Sequence, residues 1–323
     1  MDEFELIDRY FRPLSTSSLG LDLGIGDDAA VLTAPGDHQL VVTTDTHVES
    51  VHFPYGSTSR EIAFRSCATS LSDLAAMGAS ACWASLALTT MDSSSTWFEG
   101  FALGVNEALT RCGASLVGGD TTRGPLVVTW NIIGIVPVGA ALLRSGASPG
   151  DSIYVSGTLG SSAAALELSL VGSGDYSELE TELRNRYWYP QPRFDFADLL
   201  HSVASACIDI SDGLIADLTH LARSSNCGAV VECHLVPLAR GVIELLGAER
   251  GLQSALSGGD DYELCFTVPQ ERETDLMRKA ETMDLSVIRI GRMVEGQKIR
   301  AIDGSGRPIS VDHAGYRHFE ECS

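Results

Sequence analysis

The chain has 323 residues, 44% of them hydrophobic, enough to bury a large core and, at ordinary domain sizes, to make two domains. A formal net charge of -21 and a pI near 4.6 argue against a nucleic-acid partner, which needs clustered Lys and Arg, and make a cation the natural partner of so many carboxylates. Lysine occurs only at Lys279 and Lys298, so no Walker A loop or early kinase lysine lies in the first 278 residues, and a phosphate site there must use Arg, backbone N–H groups or metal.

In chain order, residues 2–11 read as an opening helix, acidic and mixed rather than basic then apolar, so they are not a signal or transit peptide. The Gly-x-Gly-Asp-Asp turn "GIGDDAAV" follows, then "AAVLTA" and "QLVVTTD" as strands about a Pro-Gly-Asp turn. Residues 60–77 have mostly helical apolar spacing and end at Gly78, with Asp73 near the unfavourable C-terminal end of the dipole, a placement that suits a bound cation. A strand over 82–90, a helix over 96–112, a short strand ending in "VGGDTTRG" and an uncharged β segment over 126–143 come next. Thr129, Asn131, Gly134, Pro137 and Gly139 make that last segment a buried strand, not a membrane span.

The pattern restarts at "RSGASPGDSIYVSG", which puts the domain boundary between 143 and 144, giving domains 1–143 and 144–323. The second half again alternates: a helix from about 160, the linker-like "YWYPQPRF", the strand "ACIDIS", a helix from 213, the strand "GAVVEC", a helix near 240–250, then "SGGDDYELCFTVP". The eight cysteines contain no Cys-x-x-Cys pair, so a reduced, cytoplasmic chain is expected. The fold class predicted is α/β (or α+β) in two domains.

Six places set an aspartate at the end of a strand or helix beside Gly, Ser or Thr: Asp27-Asp28, Asp45, Asp73, Asp120, Asp209 with Asp212, and Asp260-Asp261. Singly, each is explained by turn and helix-cap preferences; Asp212 could cap the helix that follows it. Together, strand ends in an α/β layer would deliver them to one rim, where two carboxylates about 4 Å apart repel by about 4 kcal/mol at an effective dielectric near 20. Hard oxygen ligands without paired His or Cys suit magnesium, completed by substrate phosphates. The hydroxyls of Thr43, Thr44 and Thr46 could ligate it or orient its waters, and Gly118-Gly119 and Gly258-Gly259 would let backbone N–H groups approach phosphate. Arg123 and Arg144 are the candidate phosphate clamps, with surface ion pairs as the plain alternative. His52 lies a few residues past the acidic loop, and Tyr187, Trp188 and Tyr189 either stack on an aromatic ligand or pack under a loop.

"LGIGDDAAV", "TTDT", "HF", "LSDLAAMGA", "GGDTTRG", "RSGASPGD", "IDISDGL" and "LSGGDDYEL", in that order over residues 3–320, resemble the motif series of the bacterial thiamine-monophosphate kinases. The resemblance implies the fold of the aminoimidazole ribonucleotide synthetase (PurM-like) superfamily: an N-terminal α/β domain that dimerises through its sheet, and a C-terminal α/β domain. It implies ATP-dependent phosphorylation of thiamine monophosphate to thiamine diphosphate, the last step of thiamine diphosphate biosynthesis, by a homodimer with several Mg²⁺ ions. By motif, Asp28, Thr43, Thr44, Asp45, Asp73, Asp120, Asp209 and Asp212 would bind magnesium, with Asp45, Asp120 and Asp212 catalytic. Gly119, Asp120, Arg144 and Ser211 would contact ATP; His52, Asp260 and a C-terminal residue, His313 or Tyr316, would contact the thiamine phosphate. Two positions depart from the family pattern: Asp260 stands where glutamate is commoner, and His313 where tryptophan is common. An aromatic nucleotide contact falls on an apolar residue, Leu103.

Related folds fit less well. A selenide-activating enzyme would carry a reactive Cys near its start, whereas the first here is Cys67; a carbamoyl dehydratase of hydrogenase maturation would end in Pro-Arg-Ile-Cys, whereas this chain ends "FEECS". A non-catalytic cation- or nucleotide-binding module would need the acidic clusters but not the phosphate-clamping set Gly119, Arg144 and Ser211.

Overall fold

The computed structural model describes residues 3–15, 19–26, 29–168, 170, 174–311 and 315. The first half contains α1 (Glu3–Leu6), β1 (Leu21–Leu23), β2 (Val31–Leu32), β3 (His38–Val48), α2 (Ser59–Ala76), β4 (Ser80–Thr90), α3 (Ser95–Cys112), β5 (Ser115–Arg123) and β6 (Val127–Pro137). The second contains β7 (Ser152–Val155), α4 (Ser161–Glu167), α5 (Glu178–Trp188), α6 (Ala197–Val203), β8 (Ala206–Asp209), α7 (Leu214–Ser224), β9 (Gly228–Glu232), α8 (Val242–Leu246), α9 (Ala248–Ser257), β10 (Leu264–Val268), α10 (Glu273–Thr282), β11 (Ile288–Val294) and β12 (Ile299–Ile302). They fall into two units, Met1–Leu74 with Ala79–Ala141 and Trp188–Phe194, and Ala75–Gly78 with Leu142–Tyr187 and Asp195–Ser323.

In the first unit the sheet order is β3-β6-β4-β5, antiparallel except for the parallel pair β4/β5. β3 and β6 pair over their full length, from His38↔Pro137 to Val48↔Val127, as their β-branched content favours. α2 carries apolar or small residues on almost every side, with Ile62, Phe64, Cys67, Ser70, Leu71 and Leu74 all buried, the signature of a helix enclosed by its neighbours. α3 starts at Ser94, whose hydroxyl accepts the Trp97 N–H, and stops at Gly113 in the left-handed region. Strand alternation directs Thr43, Asp45 and His47 toward α2 and sends Leu40, Val42, Thr44 and Thr46 to the opposite face. That face is partly covered where Leu21 and Leu32 pack near Trp83 and Ile135.

In the second unit the order is β12-β9-β11-β7-β10-β8, antiparallel except for β12/β9. Both faces are covered. Leu214, Leu218 and Leu221 of α7 join Ala255 and Leu256 of α9 over Val155, Ile208 and Cys265; Leu199 and Leu200 of α6 join Leu276 of α10 over Tyr154 and Phe266.

The two-domain mixture of helix and sheet matches the predicted fold class, with strand pairing mostly antiparallel in both sheets. The helix predicted near 240–250 is two helices, α8 and α9, separated at Gly247, whose φ is +81°. "YWYPQPRF" is not all linker: α5 runs through Trp188, and Tyr187 and Trp188 are 1% and 0% exposed, so these two pack in the interior. The apolar run over 126–143 leaves the sheet after Pro137. Among the described residues, no helix is long and apolar enough to cross a membrane.

Candidate functional site

β3 and α2 build the acidic set of the first unit. The Thr43 hydroxyl donates to Asp73 Oδ2 at 2.5 Å, tying the strand to the helix. Asp45, two residues on, shares that face; burial and then the Asp73 charge hold its carboxyl above the usual range, while a hydrogen bond from Ser70 opposes them. Further along, His47 Nε2 meets the Thr69 hydroxyl at 2.8 Å, and burial, reinforced by the charge of Arg65, keeps this imidazole neutral with its pKa pushed down to about 3. The same alternation separates Thr44 and Thr46 from that set: the Thr44 hydroxyl accepts the Asn131 side-chain amide at 2.8 Å, and Thr46 meets Thr129 at 3.0 Å.

Asp120 does not join Asp45 within the unit. Register runs Thr46–Thr129–Ala87–Asp120 in one row and Asp45–Trp130–Leu86–Gly119 in the next, so Asp120 stands exposed on the other edge strand and the other face. Strand ends therefore do not bring all the predicted carboxylates of this unit to one rim. Gly119 is explained by its neighbour: at φ +156° an added Cβ would lie 1.9 Å from the Leu86 carbonyl oxygen, whereas Gly118 has open space.

In the second unit, β8 continues into the loop holding Ser211 and Asp212. Asp209 is buried, and the loop runs beside the Gly-Gly-Asp-Asp segment, with Ile210 N–H to the Glu263 carbonyl, Tyr262 N–H to the Ile210 carbonyl and Asp260 N–H to the Ser211 carbonyl, each at 2.8 Å. Gly259 permits this approach, since a Cβ there would sit 2.3 Å from the Ser211 carbonyl oxygen. The N-cap of α7 is Gly213, not Asp212, which removes the plain capping explanation for Asp212. Asp260 and Tyr262 both adopt positive φ, and the Tyr262 hydroxyl donates to Asp260 Oδ1 at 2.8 Å, fixing the shorter carboxylate.

Two acids here, Asp217 and Glu263, are not marked by the sequence pattern, and Asp261, marked beside Asp260, has no role assigned by it. Asp217 in the first turn of α7 accepts the backbone N–H groups of Ser211, Asp212 and Gly213; burial, then the charges of Asp209 and Asp212, raise its carboxyl to about 7 against the pull of those N–H groups. Asp261 accepts the Gly160 N–H, and burial drives its carboxyl well up. Glu263 is buried and accepts the Ser156 hydroxyl at 2.5 Å. Asp261 and Glu263 lie in the very string that marked Asp260; the only cue for Asp217 is an acid one turn into a helix.

Arg144 is exposed and, like Arg123, forms no ion pair among the described residues. The Arg144 loop is pinned by Ser225 at the end of α7, whose hydroxyl donates to the Arg144 carbonyl at 3.0 Å and accepts the Ala147 N–H at 3.1 Å. His52 Nδ1 accepts the Val48 N–H at 3.0 Å, which leaves the proton of the neutral ring on Nε2. Asp28, His313 and Tyr316 lie outside the described residues; a Cβ on Gly315 would come within 2.9 Å of the Asp212 carbonyl oxygen. Leu103 on α3 is 46% exposed.

Residues 26–136 match the family model of AIR synthase related protein, N-terminal domain, and residues 148–304 that of the C-terminal domain. The thiamine-monophosphate kinase of Escherichia coli strain K12 is 42% identical over 324 residues, covering 98% of each chain. The chain belongs to the thiamine-monophosphate kinase family. The family's thiamine-monophosphate kinase from Stenotrophomonas maltophilia superimposes with a TM-score of 0.87 at 42% identity, over 93% of this chain and 96% of that one. AaThiL, solved in complex with AMPPCP and TMP, superimposes with a TM-score of 0.78 at 30% identity, over 98% and 97%. The two units of this family member are thus the two PurM-like domains that the motif series implied.

Proposed function

We propose that the chain transfers the γ-phosphoryl group of ATP to thiamine monophosphate, giving thiamine diphosphate and ADP. The observation that carries this reading is similarity over nearly the whole chain to thiamine-monophosphate kinases, including one solved with AMPPCP and TMP. The chemistry of the residues supports it. A monophosphate nucleophile with a second pKa of about 6 is largely ionised at neutral pH and needs no general base. What the protein must do is hold two anions together and in line.

The donor sets fit Mg²⁺. Asp45 and Asp73 with Thr43 in one unit, and Asp209 with Asp212 in the other, are hard oxygen donors, and the charges of Asp73, and of Asp209 and Asp212, add to burial in raising the carboxyls of Asp45 and Asp217. Among the described residues no group of three or more His, Cys, Asp or Glu stands ready to hold a metal ion; Mg²⁺ ordinarily retains waters and is completed by substrate phosphates. Asp28 and Asp120 belong to the proposed ligand set on motif grounds, and Thr44 would have to act otherwise than through the hydroxyl bonded to Asn131. When bound, Mg²⁺ would neutralise phosphate charge. Arg144 and Ser211 would grip ATP, with Gly119 beside Asp120; His52 would offer Nε2–H, and Asp260, held by Tyr262, would accept from the thiamine monophosphate. The proposal extends to a homodimer formed through the N-terminal sheet, acting in the cytoplasm.

The test is ADP release from Mg·ATP with and without thiamine monophosphate, with chromatography of the product. Thiamine diphosphate that forms only when both substrates and Mg²⁺ are present is the expected result. A folded, nucleotide-binding chain that makes none would overturn the proposal.

A further inference from the structure

We propose that Asp217 is a positioning residue that sets the metal- and nucleotide-facing side chains of the 211–213 loop by occupying the loop's own anion-binding nest. This rests on the functional reading above only for what Ser211 and Asp212 hold. The geometry is local: a single oxygen, Oδ2, accepts three consecutive backbone N–H groups, from Ser211 at 3.0 Å, Asp212 at 3.0 Å and Gly213 at 3.1 Å. Successive N–H groups converging on one point at the start of a helix are an arrangement that ordinarily receives a phosphate or other external anion. Here the occupant is a side chain of the same helix, 3% exposed, reaching back from the first turn of α7.

Two consequences follow. The backbone amides of this loop are already satisfied, so its contribution to a phosphorylated ligand must come from the Ser211 hydroxyl and Asp212 carboxylate. And with three successive amide planes fixed on one oxygen, those two side chains inherit directions set by α7, an 11-residue helix anchored by Leu214, Leu218 and Leu221 in the core. The other end of the same helix leads to Ser225, which pins the backbone of the Arg144 loop. One helix therefore fixes two of the segments proposed to grip ATP.

The experiment compares wild type, Asp217→Asn and Asp217→Glu by steady-state kinetics against Mg²⁺ and ATP, by calorimetry of Mg·AMPPCP binding, and by circular dichroism. Asn keeps an acceptor oxygen in place and loses the charge; Glu keeps the charge and moves the oxygen by one methylene. Positioning predicts that Asn stays within a few-fold of wild type, whereas Glu, still folded, needs about 10–100-fold more Mg²⁺ for half-saturation, the usual cost of disturbing a group behind a metal ligand. Wild-type Mg²⁺ dependence in Glu, or Asn as impaired as Glu, overturns the assignment. The calorimetry reads Asp217 even without turnover, whereas a wild-type chain that binds Mg·AMPPCP but makes no thiamine diphosphate overturns the functional reading instead.

Discussion

Asp45 and Asp73 illustrate how a binding set can work against the fold that carries it. Desolvation and the Asp73 charge both oppose ionisation of Asp45, so without a cation the pair is a cost that Ser70 and Thr43 only partly offset. Asp45→Asn should therefore melt no lower than wild type in EDTA, while turnover with Mg·ATP falls by roughly 10²–10³-fold, since metal contributes several kcal/mol to phosphoryl transfer and about 1.4 kcal/mol is a factor of ten. Thermal melts in EDTA beside initial rates check both halves; a variant that loses fold and rate together would make Asp45 a structural residue. Both aspartates are legible in the sequence because each stands beside Ser or Thr near an expected element end, although β3 runs on past Asp45 to Val48. Asp217 is not, because its meaning depends on a side chain folding back over the residues before it, which no linear pattern displays.

The same contrast holds for elements. Long periodic segments such as α2, β4 and α3 are readable because burial repeats along them, and their ends fall within two residues of the predicted bounds. Direction of pairing is not readable: apolar strands look alike whether their neighbours run parallel or antiparallel, and only the register shows that β5 carries Asp120 to the far edge and face from Asp45. Register also divides two adjacent glycines that the sequence treats as one phosphate-binding pair. Gly118→Ala should leave stability and folding unchanged, because nothing lies within 4 Å of the new Cβ. Gly119→Ala would drive a methyl into the Leu86 carbonyl at a backbone angle that side chains rarely adopt, and should cost about 1–3 kcal/mol or more. Urea midpoints of the two variants decide the matter; equal stabilities would mean that the β4/β5 edge adjusts freely.

For the molecule as a whole, the N-terminal sheet poses a problem that one chain leaves unsolved. β3 is an 11-residue edge strand, and on the face turned away from α2 it exposes Leu40 and Val42, at 53% and 57%, whereas among the described residues Leu21 and Leu32 of the β1/β2 pair pack by Trp83 and Ile135 on the neighbouring strands. A long edge with exposed aliphatic residues invites pairing with another chain unless something covers it. A chain of net charge -21 resists non-specific association, so a surface that does associate must repay that repulsion with apolar burial. The proposed homodimer does this by setting two such sheets together. Light scattering after size exclusion should then give twice the 34.4 kDa chain mass, and Val42→Lys should shift the population toward one chain, the more so at low protein concentration. Circular dichroism of Val42→Lys should be unchanged, because the Val42 side chain is 57% exposed in the single chain. A wild-type chain that elutes as a monomer at micromolar concentration would remove the dimer, and the exposed strand would then need another partner.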